Sequence, residues 1–329
     1  NIARYSLITQ NWEAIGGQLN SYVTALVLSG TDLYVGGEFI NADGIATADR
    51  IAKYSTSGGT WSSIGGQLNG AVSALVLSGT DLYIGGAFTN ADGIATADYI
   101  AKYSISGGTW SSIGGTLSSS VSSIALSDTD LYVGGNFINA DGIVTADYIA
   151  KYSTSGGTWS SIGGQLNLGV NEIVISGTDL YIGGAFTNAD GIATADYIAK
   201  YSISGGTWSS IGGQLNEAVT ALVLSGTDLY VGGNFTNADG IATADKIAKY
   251  NTSTGLWSTV SNGEGASGLD GYIYSLLALD SGSVIAGGSF NYIGAINCQS
   301  IAILCKPLNE AIDIIAAMFE LYAERTNIT

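Results

Sequence analysis

Histidine is absent from all 329 residues. That removes the commonest general base and the commonest metal ligand, and with them any Ser-His-Asp or Cys-His arrangement. Arginine is limited to Arg4, Arg50 and Arg325, too few for an arginine cluster of the sialidase type. Proline occurs once, at Pro307, and cysteine twice, at Cys298 and Cys305. If the run between the cysteines is a straight strand, they stand about 23 Å apart at ~3.3 Å per residue. One disulfide cannot join such a pair, so cysteine gives no reading of compartment. No apolar run reaches the ~18–20 residues of a membrane-spanning helix, and no signal peptide is visible. The chain opens on Asn1, as a processed chain or an expressed piece would.

Charge is sparse and one-sided. Only 11% of residues are charged, and the formal net charge is −17 with a pI near 4.1. A nucleic-acid binder needs a basic footprint, and an anionic membrane surface would repel this chain. A cation or a basic partner is the electrostatic expectation.

Repetition dominates what is present. Trp12, Trp61, Trp110, Trp159, Trp208 and Trp257 recur every 49 residues. A fixed period near 50 marks a propeller or solenoid, in which each unit needs its neighbours to bury its apolar faces. Within one period, Asp32–Phe39 reads as a strand carrying a Gly pair, residues 40–49 as a long loop, and Ile51–Ser55 as a second strand. A hairpin turn leads to a third strand at Thr60–Ile64, and Val72–Leu77 forms a fourth. Each run is short, β-branched or aromatic, and bounded by turn residues. Four strands in 49 residues make one sheet, and 48 glycines beside 46% hydrophobic residues fit many short strands joined by turns.

The Gly36-Gly37, Tyr54, Trp61 spacing recurs as Gly85-Gly86, Tyr103, Trp110, and so on to Gly232-Gly233, Tyr250, Trp257. This pattern resembles the kelch repeat of the galactose-oxidase-like propellers. The variant is similar to repeats of bacterial and viral surface or secreted proteins, and the likeness covers about 300 of the 329 residues. It implies blade architecture and no particular activity. Copper oxidases of that class need histidine ligands, which this chain lacks.

The expected fold is therefore all-β: a six-bladed β-propeller of 49-residue four-stranded repeats over residues 1–305, followed by a short C-terminal α-helix within 306–329. Strands from both termini would close the last blade, with Ile2–Tyr5 or Ile301–Leu304 taking its third place and the other left as a surplus edge. After Pro307, Ile312, Ile315, Phe319 and Tyr322 follow helical spacing. They would pack beneath the propeller or serve as an oligomerisation or docking helix.

One acidic loop recurs five times: Asn41, Asp43, Asp49; Asn90, Asp92, Asp98; Asn139, Asp141, Asp147; Asn188, Asp190, Asp196; and Asn237, Asp239, Asp245. Asn, Asp and Gly at its first, third and fourth positions echo part of a calcium loop, but the bidentate Glu at position 12 is missing. Asn and Asp bonding their own loop backbone is the plainer expectation, with calcium as the alternative and no other cofactor. Lys53 and its repeats should pair with an aspartate of the same or the next blade, and a same-blade lysine is expected to offset the crowded loop acids. The copies differ mostly between the Trp strand and the next strand, at Tyr22, Ala71, Ser120, Gly169 and Glu217. That connection should share an end with the acidic loop and could read a partner. The leading functional expectation is a non-enzymatic binding or adhesion scaffold for a protein or glycan, outside the cell or at a surface. The alternatives are a self-assembling structural protein, then a carbohydrate-active enzyme using Asp pairs.

Overall fold

The computed structural model describes residues 2–6, 11–212, 215–260, 269–279, 283–293, 296–297 and 300–304. They form an all-β propeller of six blades. Helix among the described residues is confined to three-residue 3₁₀ turns, and none is long and apolar enough to cross a membrane. The expected C-terminal helix, with Ile312, Ile315, Phe319 and Tyr322, lies outside the described residues, as do Cys298 and Cys305.

The first blade is an antiparallel meander: β1 (Val23–Ser29), β2 (Asp32–Gly37), β3 (Ile51–Ser55) and β4 (Thr60–Ser62), paired in that order. Tyr34 lies opposite Lys53, and Tyr54 opposite Trp61. The next four repeats give the same four-stranded sheet. In the sixth, Ile273–Ala278 and Val284–Gly288 are joined by Ile301–Leu304, with Val284 opposite Leu304 and Gly287 opposite Ile301. Of the two candidates for that third place, Ile301–Leu304 occupies it. Ala3–Ser6 instead pairs with Asn11–Ala14 in a two-stranded sheet.

Residues 1–4 and 14–170 form one compact unit, and residues 5–13 and 171–329 a second. In the first unit the core lies between successive blades. Tyr34 and Ile51 of blade 1 pack with Val72, Leu82, Ile84, Tyr103 and Trp110 of blade 2, and Tyr83 and Ile100 of blade 2 meet Val121, Val133 and Trp159 of blade 3. The second unit repeats this, Tyr181 and Ile198 packing with Val219, Val231 and Trp257. Burying each large apolar side chain contributes roughly 1.5–3 kcal/mol, so every blade depends on its neighbour.

The Gly pair is required by close approach. A Cβ on Gly36 would lie 2.5 Å from Cγ1 of Val72 in the next blade, and one on Gly37 would lie 2.1 Å from the Tyr22 carbonyl oxygen. Trp61, Trp110, Trp159 and Trp257 each staple their blade to the preceding repeat. Trp61 Nε1 donates to the Gly16 carbonyl at 2.9 Å, Trp110 to Ile64 at 3.1 Å and Trp257 to Ile211 at 3.0 Å. Each ring tilts against the paired tyrosine, at 5.3 Å for Tyr54–Trp61 and 5.4 Å for Tyr250–Trp257. These rings are built into the packing of the blades.

Candidate binding face

Chain direction sets where the loops fall. In the first five blades the second and fourth strands run toward one end, where the acidic loop follows the second and the connection to the next blade follows the fourth. Hydrogen bonds tie the two segments together in four of the copies. Asn20 Oδ1 accepts from the Ile40 N–H at 2.9 Å, Asn69 Oδ1 from Thr89 at 2.7 Å, Ser118 Oγ from Ile138 at 2.8 Å, and Asn216 Oδ1 from Thr236 at 2.9 Å. In the sixth blade Asp270 takes this part, accepting from the N–H groups of Asn291 and Tyr292 at 2.8 and 2.9 Å. Those backbone donors, that of Tyr292 foremost, hold its carboxyl below the ordinary 3.8. The shared end expected from the sequence is present, and Ser63 Oγ adds a bond to the Thr47 carbonyl at 2.6 Å.

The acidic loop is a folded object. Asn41 and Asp43 adopt left-handed backbone (φ 51° and 53°), a region that Asn and Asp tolerate better than most side chains. Asp49 Oδ1 accepts from the Asn41 N–H at 2.7 Å, and Ala42 N–H donates to Ala48 O at 3.0 Å. Ala42 and Ala48 are fully buried, so neither position has room for a larger side chain. The carboxylate bond recurs at 2.7 Å from Asn90 to Asp98, Asn139 to Asp147, Asn188 to Asp196 and Asn237 to Asp245. The last loop aspartate thus satisfies backbone, as the Asx-turn reading expects. Among the described residues, no group of three or more Asp, Glu or Cys side chains is arranged to hold a metal.

The repeated lysines go elsewhere. Lys53 pairs with Asp32 at 3.0 Å, Lys102 with Asp81 at 3.0 Å, Lys151 with Asp130 at 3.1 Å, Lys200 with Asp179 at 3.3 Å and Lys249 with Asp228 at 3.0 Å. Each pair joins neighbouring strands of one blade, so the expected same-blade partner is an aspartate of the second strand rather than of the loop. Lys53 projects from the middle of its strand across to the first residue of β2, which puts the loop out of line. These pairs are about a third exposed, and such pairs contribute at most ~1 kcal/mol each. Burial, the largest influence on Asp228, pushes its carboxyl up. Hydrogen bonds from Lys249 and Asn251 and the Lys249 charge outweigh it, leaving the group below 3.8.

The variable connection is uneven. Tyr22 is 73% exposed and Glu217 is exposed, Ala71 and Ser120 are half-buried, and Gly169 is buried. A Cβ on Gly169 would sit 2.3 Å from Asn136 Oδ1. Tyr22 and Glu217 are therefore the members most available to a partner.

A further set escaped the sequence reading. Arg50, Tyr99, Tyr148, Tyr197 and Lys246 hold left-handed backbone at φ 62–64°, where bulky side chains rarely sit. Tyr99 is locked by its N–H to Phe88 O at 2.8 Å and by Gly86 N–H to its own carbonyl at 2.9 Å. Arg50 reaches back to the Glu38 carbonyl. Lys246 reaches the Asn234 carbonyl at 2.6 Å and stands 5.2 Å from the centroid of the Tyr272 ring. The signal lay in the repeats: one position varies among Arg, Tyr and Lys between an unvarying Asp and an unvarying Ile.

Comparisons with known proteins agree on the fold. Residues 1–163 match the family model described as the Rax2 C-terminal beta propeller domain. No curated protein matches the chain. Two solved structures of the extracellular domain of the BT4673 system of B. thetaiotaomicron, one titled a one-component and the other a hybrid two-component system, align at TM-scores of 0.52 and 0.57. They are 16% and 17% identical and cover 86% and 88% of this chain. This chain spans only 32% and 33% of those ectodomains. A chain of the Mitotic Checkpoint Complex aligns at TM-score 0.56 and 15% identity, over 88% of this chain and 78% of its own length.

Proposed function

We propose that this chain is a non-enzymatic binding scaffold of kelch-like blades, displaying its loop ends to a protein or glycan at a surface or outside the cell. One observation carries the reading. The loop framework is the same in five blades, while the side chains that vary, at Tyr22 and Glu217 and at the Arg50, Tyr99 and Lys246 positions, are mounted on that framework at the same end. Fixed scaffold with variable display is how recognition loops are organised. The acidic balance favours a basic or hydroxyl-rich partner, and the extracellular structural neighbours fit the location. A glycan array and a panel of basic peptides, read with wild type and with Tyr22→Ala, test it. A ligand whose binding Tyr22→Ala weakens supports the reading, and enzymatic turnover of any glycan by the wild type would overturn it.

Self-assembly is the second reading. Leu26 and Leu28 in the first strand of blade 1 are 52% and 57% exposed, whereas Leu75 and Leu77 at the same places in blade 2 pack against a core cluster. Light scattering across concentration would detect association, and Leu26→Ser would abolish it.

A further inference from the structure

We propose that Asn234 is an acceptor for an N-linked glycan, placed on the loop end of blade 5. The inference rests on the surface or extracellular reading. Asn234-Phe235-Thr236 matches the acceptor motif Asn-x-Ser/Thr, and it arises by coincidence of two variable positions. The first of these is Glu38, Ala87, Asn136, Ala185 and Asn234 along the repeats; the second is Ile40, Thr89, Ile138, Thr187 and Thr236. Blade 3 has the asparagine without the threonine, and blades 2 and 4 have the threonine without the asparagine.

The local backbone presents the motif outward. Phe235 is fully buried, so its neighbours on either side point away from the core, as alternate residues of extended chain do. Asn234 and Thr236 are partly exposed. The Asn234 backbone is spoken for, its N–H donating to Ala218 O at 3.0 Å and its carbonyl accepting from Lys246. Its carboxamide has no hydrogen-bond partner among the described residues. The same place carries exposed Glu38, Ala87 and Asn136 in other blades, so the fold accepts side chains of different size and charge there.

A second motif, Asn251-Thr252-Ser253, is built the opposite way. The Asn251 Nδ2 donates to Asp228 at 2.8 Å and Thr227 at 3.2 Å, while Oδ1 accepts from the Thr254 N–H at 2.9 Å and the Ser253 N–H at 3.1 Å. A sugar on that nitrogen would break the turn that starts the hairpin. A third motif, Asn327-Ile328-Thr329, lies outside the described residues.

The co-reactant is a polyprenyl-diphosphate-linked oligosaccharide supplied by a secretory membrane. The Asn234 Nδ2 forms a bond to the anomeric carbon as the anomeric C–O bond to the diphosphate breaks. The amide nitrogen gives up one proton and the polyprenyl diphosphate leaves with the bonding electron pair. The chain's redox state is unchanged.

The test is secretion of the full chain behind a leader from a eukaryotic host, followed by glycopeptide mapping before and after an amidase that removes N-glycans. The expected result is a glycan at Asn234, lost in Asn234→Gln and in Thr236→Val, with Asn251 bare. Ile138→Thr should create a second occupied site at exposed Asn136 in blade 3, whose Nδ2 makes one long bond of 3.4 Å to Ser120 Oγ, unlike the closely held Asn251. Secreted, folded chain with Asn234 bare, or with Asn251 occupied in its place, overturns the proposal. Because the leader fixes the route, failure here is distinct from failure of the surface reading, which is judged by where the protein resides in its own cells.

Discussion

The Asp49 carboxylate accepts the Asn41 backbone N–H at 2.7 Å, closing a nine-residue loop whose every other copy is closed the same way. The acid is there to hold backbone. Asp49→Ala should therefore lower stability by about 0.5–1.5 kcal/mol, the net value of such a bond, while Asp49→Asn, which keeps an acceptor oxygen, should lose less. Thermal melts of the two variants check the order.

Calcium should leave the protein nearly unmoved. The carboxylate that a cation would need is engaged by backbone, and no three-acid cluster stands among the described residues. Melting curves with added calcium and with chelator should coincide. A rise of several degrees that Asp43→Asn and Asp92→Asn abolish would make these loops metal sites instead.

Trp61 depends on residues before the first blade. Its indole donates to Gly16, and Ile15, Leu19 and Ile2 pack in its cluster. Deleting residues 1–16 removes the acceptor and the buried Ile15, each apolar side chain being worth roughly 1.5–3 kcal/mol. A clear drop in melting temperature is expected, and an unchanged melt would contradict this reading of the N-terminal segment.

Much of the architecture was written in the repeat. Gly36-Gly37, Tyr54 and Trp61 and their repeats placed three of the four strands of the first five blades to within two or three residues, because close approach and ring packing admit few alternatives there. The shared end of the variable connection and the acidic loop also followed from strand direction. Lys53 was harder: the sequence shows that it needs an aspartate, and only the cross-strand register of Tyr34 with Lys53 selects Asp32 over a loop acid. Tyr99 was not legible either, since a left-handed tyrosine defies residue preference and follows from the loop's closing bonds. The third strand of the last blade was open on pattern alone, for Ile2–Tyr5 and Ile301–Leu304 carry similar apolar runs.

The left-handed position offers its own test. A β-branched side chain tolerates positive φ poorly, and asparagine tolerates it well. Tyr99→Val should be less stable than Tyr99→Asn by about 1 kcal/mol or more, the scale of left-handed strain, despite valine's greater hydrophobicity. The reverse order in chemical denaturation would show that packing, not backbone, governs the site.

Alkali should loosen the core. Burial first, then the nearby Asp32 and Asp81 charges, push the hydroxyls of Tyr34 and Tyr83 from 10.0 up to about 12, and burial with Tyr250 and Asp179 does the same for Tyr181. A raised folded value means that the stabilisation is complete below pH 10 and is lost as pH climbs from 10 toward 12. A pH series of melts should fall in that window, and Tyr34→Phe should flatten the fall.

The central claim is that partners are read at the loop ends of the blades. Its most direct test is equilibrium binding of a captured glycan or protein ligand to two sets of variants. One set carries Tyr22→Ala or Glu217→Lys at the loop ends, the other Ser57→Lys or Ser155→Lys in the hairpins at the opposite ends. The account predicts at least tenfold weaker binding in the first set and unchanged binding in the second, with melts unaltered in both. Binding lost only in the hairpin variants would contradict it.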